Sequence, residues 1–117
     1  METYHVYQFY DANGNIIYVG KTKNTVQERM KQHFGPNGHL SQDILQQVKC
    51  IKYYEFLTER DMDLTEAYLI RKYKGLYNTK REHISKEDIK YIEDKMSKQK
   101  IKHYWGQIYG NNVQRIN

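Results

Sequence analysis

The sequence predicts a small α/β domain of the α+β kind, with a three-stranded, mainly antiparallel sheet flanked by helices. Three observations predict it. Two aromatic and β-branched runs flank an Asn-Gly turn near the N-terminus. Three later segments open on a Ser or Thr cap and continue with apolar residues at helical spacing. A third β-like run lies between two of the helical segments. At 117 residues the chain can build one core but not two.

The elements follow in order. Tyr4 to Tyr10, "YHVYQFY", reads as a strand, and Ile16 to Gly20, "IIYVG", as a second. Asn13-Gly14 in the intervening "DANGN" supplies the positive φ that a tight antiparallel connection needs. Thr25 followed by Glu28 is a capping box, with Asn24 a second candidate cap. The helix it opens runs to about Phe34 and buries Val26, Met30 and Phe34; "GPNGH", with the only proline, ends it. Ser41 caps a further helix reaching toward Val48, and "CIKYYEF" is the third strand. Glu59 to Tyr73 is the strongest helix, with Met62, Leu69, Ile70 and Tyr73 on one face. Beyond "GLYN" the composition turns basic: residues 79–117 hold nine Lys and Arg against five Asp and Glu. Ser85 caps a C-terminal helix with Ile89, Ile92 and Met96 inward, and "HYWGQIY" leaves scope for an extra strand. The expected organisation is a core over 1–78 and a basic extension, 79–117, packed on the same domain.

Composition narrows the function. Twelve tyrosines against one Trp and three Phe suit half-buried sites, interfaces and base stacking. A net charge of +5 favours a polyanionic partner. The single Cys50 can form no internal disulfide, and no Cys/His cluster suggests zinc. No segment approaches transmembrane length and no apolar secretory run opens the chain, so a cytoplasmic protein without a membrane partner is expected. Oligomeric state is not legible.

One residue breaks the helical pattern. Glu66 falls on the apolar stripe of its helix, four after Met62 and three before Leu69, where an unpaired carboxylate is costly to bury. It reads either as a salt bridge at the stripe's edge or as a metal ligand or catalytic carboxylate in a cleft. Arg29 and His33, four apart, share one face of their helix, either as a solvated cationic face or as part of a site. Tyr7 and Tyr18 lie on adjacent strands, either as cross-strand core aromatics or beside that same site.

Taken together, these residues resemble the GIY-YIG nucleases. "HVY" (His5, Val6, Tyr7) and "YVG" (Tyr18, Val19, Gly20) stand as the two strand tripeptides, with ten residues between Tyr7 and Tyr18. Arg29 matches the family's helix arginine and His33 its following histidine; "EAYLIRKYKGLYN" matches the glutamate helix and places Glu66 and Asn78. The resemblance spans residues 4–78. His5 departs from it, standing where the family usually has glycine, and His39 has no settled counterpart. The resemblance implies a DNA endonuclease that hydrolyses phosphodiesters with one divalent ion, Mg²⁺ or Mn²⁺, held by Glu66. Arg29 would brace the phosphoryl oxygens, where a planar fork suits phosphate better than lysine. Tyr7 is the candidate base, assisted by Tyr18, His33 or Lys21, and needs a nearby cation to favour its phenolate. Asn78 would orient the site, and Gly20 would let the helix come close. An RNA nuclease, or an inactive nucleic-acid-binding or protein-interaction module on the same fold, stays open.

Lys95, Lys98, Lys100 and Lys102 follow one another without an intervening acid. Either they form a solvated helix end before a strand whose Trp105 and Tyr109 complete the core, or Lys98, Lys100 and Lys102 contact phosphates while Tyr104 or Trp105 stacks on a base.

Overall fold

A computed structural model describes residues 3–106. The elements are β1 (Tyr4–Tyr10), β2 (Ile16–Thr22), α1 (Val26–Phe34), α2 (Gln42–Gln47), β3 (Cys50–Phe56), α3 (Glu59–Lys72), α4 (Lys86–Ser97) and β4 (Lys102–His103). Every helix opens on a hydroxyl that accepts from the backbone N–H three residues on: Thr25 from Glu28, Ser41 from Ile44, Thr58 from Asp61 and Ser85 from Asp88.

All strand pairs are antiparallel, in the order β2-β1-β3-β4. The short β4 is the extra strand beyond the three expected. β1 is central and buried from His5 to Phe9, which explains why it does not alternate with polar residues. Tyr7, Phe9 and Ile51 meet Val26, Met30 and Phe34 of α1 and Leu45 of α2 on one face. On the opposite face Val6, Val19 and Phe56 meet Met62, Leu69 and Ile70 of α3 and Ile92 of α4. The sheet is thus a middle layer with a separate core on each side. The β1–β2 connection carries Gly14 at φ +81, with Asp11 accepting from the N–H groups of Asn13 and Asn15.

The C-terminal aromatics correct one expectation. Tyr104 is buried in the α1/α2 core, whereas Trp105 is 48% exposed and stacks on His103. Tyr104 follows a two-residue strand and donates its N–H to Ile51, so its ring turns inward and the next one must turn out. Tyr109 lies outside the described residues.

Candidate active site

Tyr7 and Gly20 are direct cross-strand partners, as are Phe9 and Tyr18, so the two tyrosines project diagonally from one face of the hairpin. Their ring centroids are 6.4 Å apart. A Cβ on Gly20 would lie 2.3 Å from both Cζ and Oη of Tyr7. Gly20 therefore seats the Tyr7 ring across β2; it does not serve the approach of α1, as the sequence suggested.

Arg29 and His33 reach this ring from α1. Arg29 Nε donates to Tyr7 Oη at 3.2 Å, and His33 Nε2 lies 2.5 Å from the same oxygen. Burial and the adjacent Arg29 charge hold His33 neutral, its pKa pushed down to about 3. With Arg29 donating to Tyr7, the phenol's single proton goes to His33 Nε2. Burial raises the Tyr7 pKa; Arg29 favours the phenolate, as expected of a nearby cation, but burial outweighs it in the free protein. The Tyr7 ring is completely enclosed. Replacing it by phenylalanine strands a buried imidazole nitrogen and an arginine N–H, and should destabilise the domain by about 1–3 kcal/mol in urea unfolding. An unchanged midpoint would show that water replaces the phenol.

Tyr18 is different. It is half-buried and lines a cleft of about 380 Å³ together with His39, Glu66, Ile70, Asn78 and Lys80. Its hydroxyl lies 3.3 Å from His39 Nε2. His39 also packs against His33, the rings tilted by 50° with centroids 5.1 Å apart, and borders a second hollow of about 350 Å³ lined by Arg29, Lys31 and His33. The two hollows thus meet at His39, one carrying the carboxylate and the other the guanidinium. Sequence left His39 unassigned because a residue beside Gly38 in a polar loop has no periodicity to place it.

Asn78 shapes the cleft from the sheet's edge. Val19 N–H donates to its Oδ1 at 2.9 Å and its Nδ2 donates to Val19 O at 2.7 Å, while Tyr77 N–H donates to Ile17 O. These bonds satisfy the open edge of β2 and fix the backbone between Tyr18 and Gly20.

The chain agrees with known proteins over the part that builds this site. A family model described as the GIY-YIG catalytic domain matches residues 3–82. The chain belongs to the GIY-YIG family. Its GIY-YIG domain is 39% identical over 77 residues to the UvrABC system protein C of Dictyoglomus thermophilum, a match covering 66% of this chain and 13% of that protein. The same-named proteins of Lachnospira eligens and Symbiobacterium thermophilum are 36% and 39% identical, covering 63% and 62% of the chain and 12% of each relative. The chain thus spans only about an eighth of the length of these relatives. No solved structure matches it. The match is to the family's catalytic domain, and among the described residues no helix is long and apolar enough to cross a membrane.

Glu66 lines the cleft from α3; burial raises its pKa and Lys21 opposes that shift. Lys21 turns toward α3, 2.9 Å from Asp63 and 3.4 Å from Glu66, rather than toward Tyr7. Among the described residues no group of three or more His, Cys, Asp or Glu could hold a metal. A lone half-buried carboxylate at a cleft wall fits an ion such as Mg²⁺, which keeps most of its waters and takes further oxygens from a phosphate. It does not fit zinc. His5 does not join the cleft: its ring nitrogens lie 3.1 Å from Asn24 O and 3.1 Å from Glu55 Oε2, tying the entry of α1 to β3. Lys98 pairs with Asp94 and Lys102 with Glu55, leaving Lys100 as the member of the C-terminal trio without an ion pair among the described residues. β4 is the edge opposite to β2, so this segment stands apart from the Glu66 cleft.

Proposed function

We propose that the domain is an endonuclease that hydrolyses DNA phosphodiester bonds with one divalent ion, Mg²⁺ or Mn²⁺, held by Glu66. The observation that carries this reading is the cleft shared by Tyr18, Glu66 and Asn78, which adjoins the Arg29 hollow at His39. When bound, the ion would supply positive charge for the departing 3′ oxygen.

The chain's own groups divide the rest of the work. Tyr18 is the phenol at the cleft wall: it passes its own proton to His39 Nε2, 3.3 Å away, and as the phenolate takes the proton of the attacking water. Tyr7 is sealed and serves by aiming Arg29. The Nη1 of Arg29 rests on the Gln32 side-chain oxygen at 2.8 Å, a neutral acceptor that a phosphate oxygen outcompetes. Asn78 holds the Tyr18–Gly20 backbone so that these groups keep their distances. Lys100 is the C-terminal lysine best placed to take a distant phosphate.

Single-turnover cleavage of plasmid, single-stranded DNA and RNA, with and without Mg²⁺, tests this reading. Cleavage confined to RNA would reassign the substrate, and binding without cleavage would make the domain a binding module. Burial holds the Tyr18 phenol above its ordinary range, so the rate should rise with pH on the alkaline side of neutrality. Tyr18→Phe should remove that rise and slow cleavage by about 10²–10⁴-fold. A surviving pH rise at the wild-type rate would move the base elsewhere.

Arg29→Lys should slow the chemical step by about 10²-fold at saturating DNA while the dissociation constant changes little. An ammonium cannot brace two oxygens and hold Tyr7 at the same time. Equal losses in binding and rate would make Arg29 a general phosphate anchor.

A further inference from the structure

Lys21 is shared between two carboxylates one helical turn apart on α3. Its Nζ lies 2.9 Å from Asp63 Oδ1 and 3.4 Å from Glu66 Oε1. The two acids differ in setting: the Asp63 side chain is 46% exposed and that of Glu66 is 20% exposed. Glu66 therefore depends on a nearby cation for charge compensation, while Asp63 is hydrated well enough to stand alone. Lys21 lies on the edge strand, where its long side chain can move between the two acids without disturbing the core.

A divalent ion arriving at Glu66 meets this ammonium on the same carboxylate. The two cations repel, and the ion binds only as Lys21 withdraws. Asp63 already lies nearer to Nζ than Glu66 does and can receive the ammonium after a small rotation. We propose that Lys21 is a placeholder cation for Glu66, displaced on metal binding onto Asp63, which is a positioning residue that tunes metal affinity without touching the ion. The inference rests on the reading of Glu66 as the metal-holding carboxylate.

The test is Mn²⁺ titration of the full chain without nucleic acid, followed by the electron paramagnetic resonance signal of free Mn²⁺. Circular dichroism melting confirms that each variant is folded, and Lys21→Gln serves as a second neutral variant beside Lys21→Met. Removing the competing ammonium should tighten Mn²⁺ binding by up to about tenfold, the factor expected for a unit charge about 6 Å from a dication in a water-like dielectric. Asp63→Asn leaves Lys21 committed to Glu66 and should weaken Mn²⁺ binding by about threefold to tenfold in the wild-type background. In the Lys21→Met background Asp63→Asn should weaken binding clearly less than in the wild-type background, because only the through-space loss of its charge remains once the lysine is gone. Equal weakening in both backgrounds would show that Asp63 acts on the ion itself, by contact or through space, and overturn the proposal. Unchanged or weaker binding in both neutral Lys21 variants would overturn it as well. Mn²⁺ binding that is absent, or indifferent to Glu66→Gln, would instead overturn the metal role of Glu66 itself.

Discussion

Glu66→Gln should abolish metal-dependent cleavage, with a loss of about 10³-fold or more in the single-turnover rate. The amide fills nearly the volume of the carboxylate but brings no charge to an ion. Folding should survive, because Lys21 keeps its closer partner Asp63 at 2.9 Å and a partly exposed ion pair contributes little. The β2 edge is held by the paired Asn78–Val19 hydrogen bonds, which the loss of the Glu66 charge leaves in place. The measurement pairs cleavage at saturating Mg²⁺ with thermal unfolding. Wild-type cleavage would reduce Glu66 to a structural carboxylate, and a collapsed melting temperature would place its charge in the fold instead of the chemistry.

Gly20→Ala should cost the fold and the site together. The added Cβ would stand 2.3 Å from Tyr7 Cζ and Oη, far inside van der Waals contact. The ring has no free direction of retreat, because its oxygen is held by Arg29 and His33 and its faces by Phe9 and the α1 core. Overpacking of this kind costs about 1–3 kcal/mol, and the strained hydrogen bonds add to it. A fall in melting temperature of about 10 °C is expected for a domain of this size, with Arg29-dependent cleavage lost in the fraction that remains folded. A melting temperature within a degree or two of wild type would show that the Tyr7 ring is not locked on β2.

Local chemistry made most of the fold legible. Asn13-Gly14 sets the hairpin, the Thr25, Ser41 and Ser85 hydroxyls set three helix starts, and Met62, Leu69 and Ile70 set the buried face of α3. Thr58 was missed as the fourth cap, although it accepts from Asp61 in the same way. The strained position of Glu66 was also legible, since a carboxylate on an apolar stripe needs a reason within its own helix. What could not be read was which side of a residue faces water. Tyr7 and Tyr18 are equivalent as letters on neighbouring strands, yet one is sealed and the other lines a cleft. Tyr104 takes the core place that one reading gave to Trp105 for the same reason, since the turn of a two-residue strand depends on its pairing with β3.

The sequence by itself determined the hairpin, three of the four helix caps and the amphipathic faces, and its resemblance to the GIY-YIG nucleases singled out Tyr7, Tyr18, Arg29, His33, Glu66 and Asn78. The hairpin, caps and faces follow from periodicity and capping, which act over a few residues along the chain. Only the tertiary structure decided that Gly20 seats Tyr7, that Lys21 bridges Asp63 and Glu66, and that His39 joins the two hollows. Those contacts link residues as far apart as Lys21 and Glu66, through strand register and the packing of α1 and α3 on opposite faces of one sheet. Register and layer packing are set by the burial of whole faces at once, so no local stretch of sequence carries them.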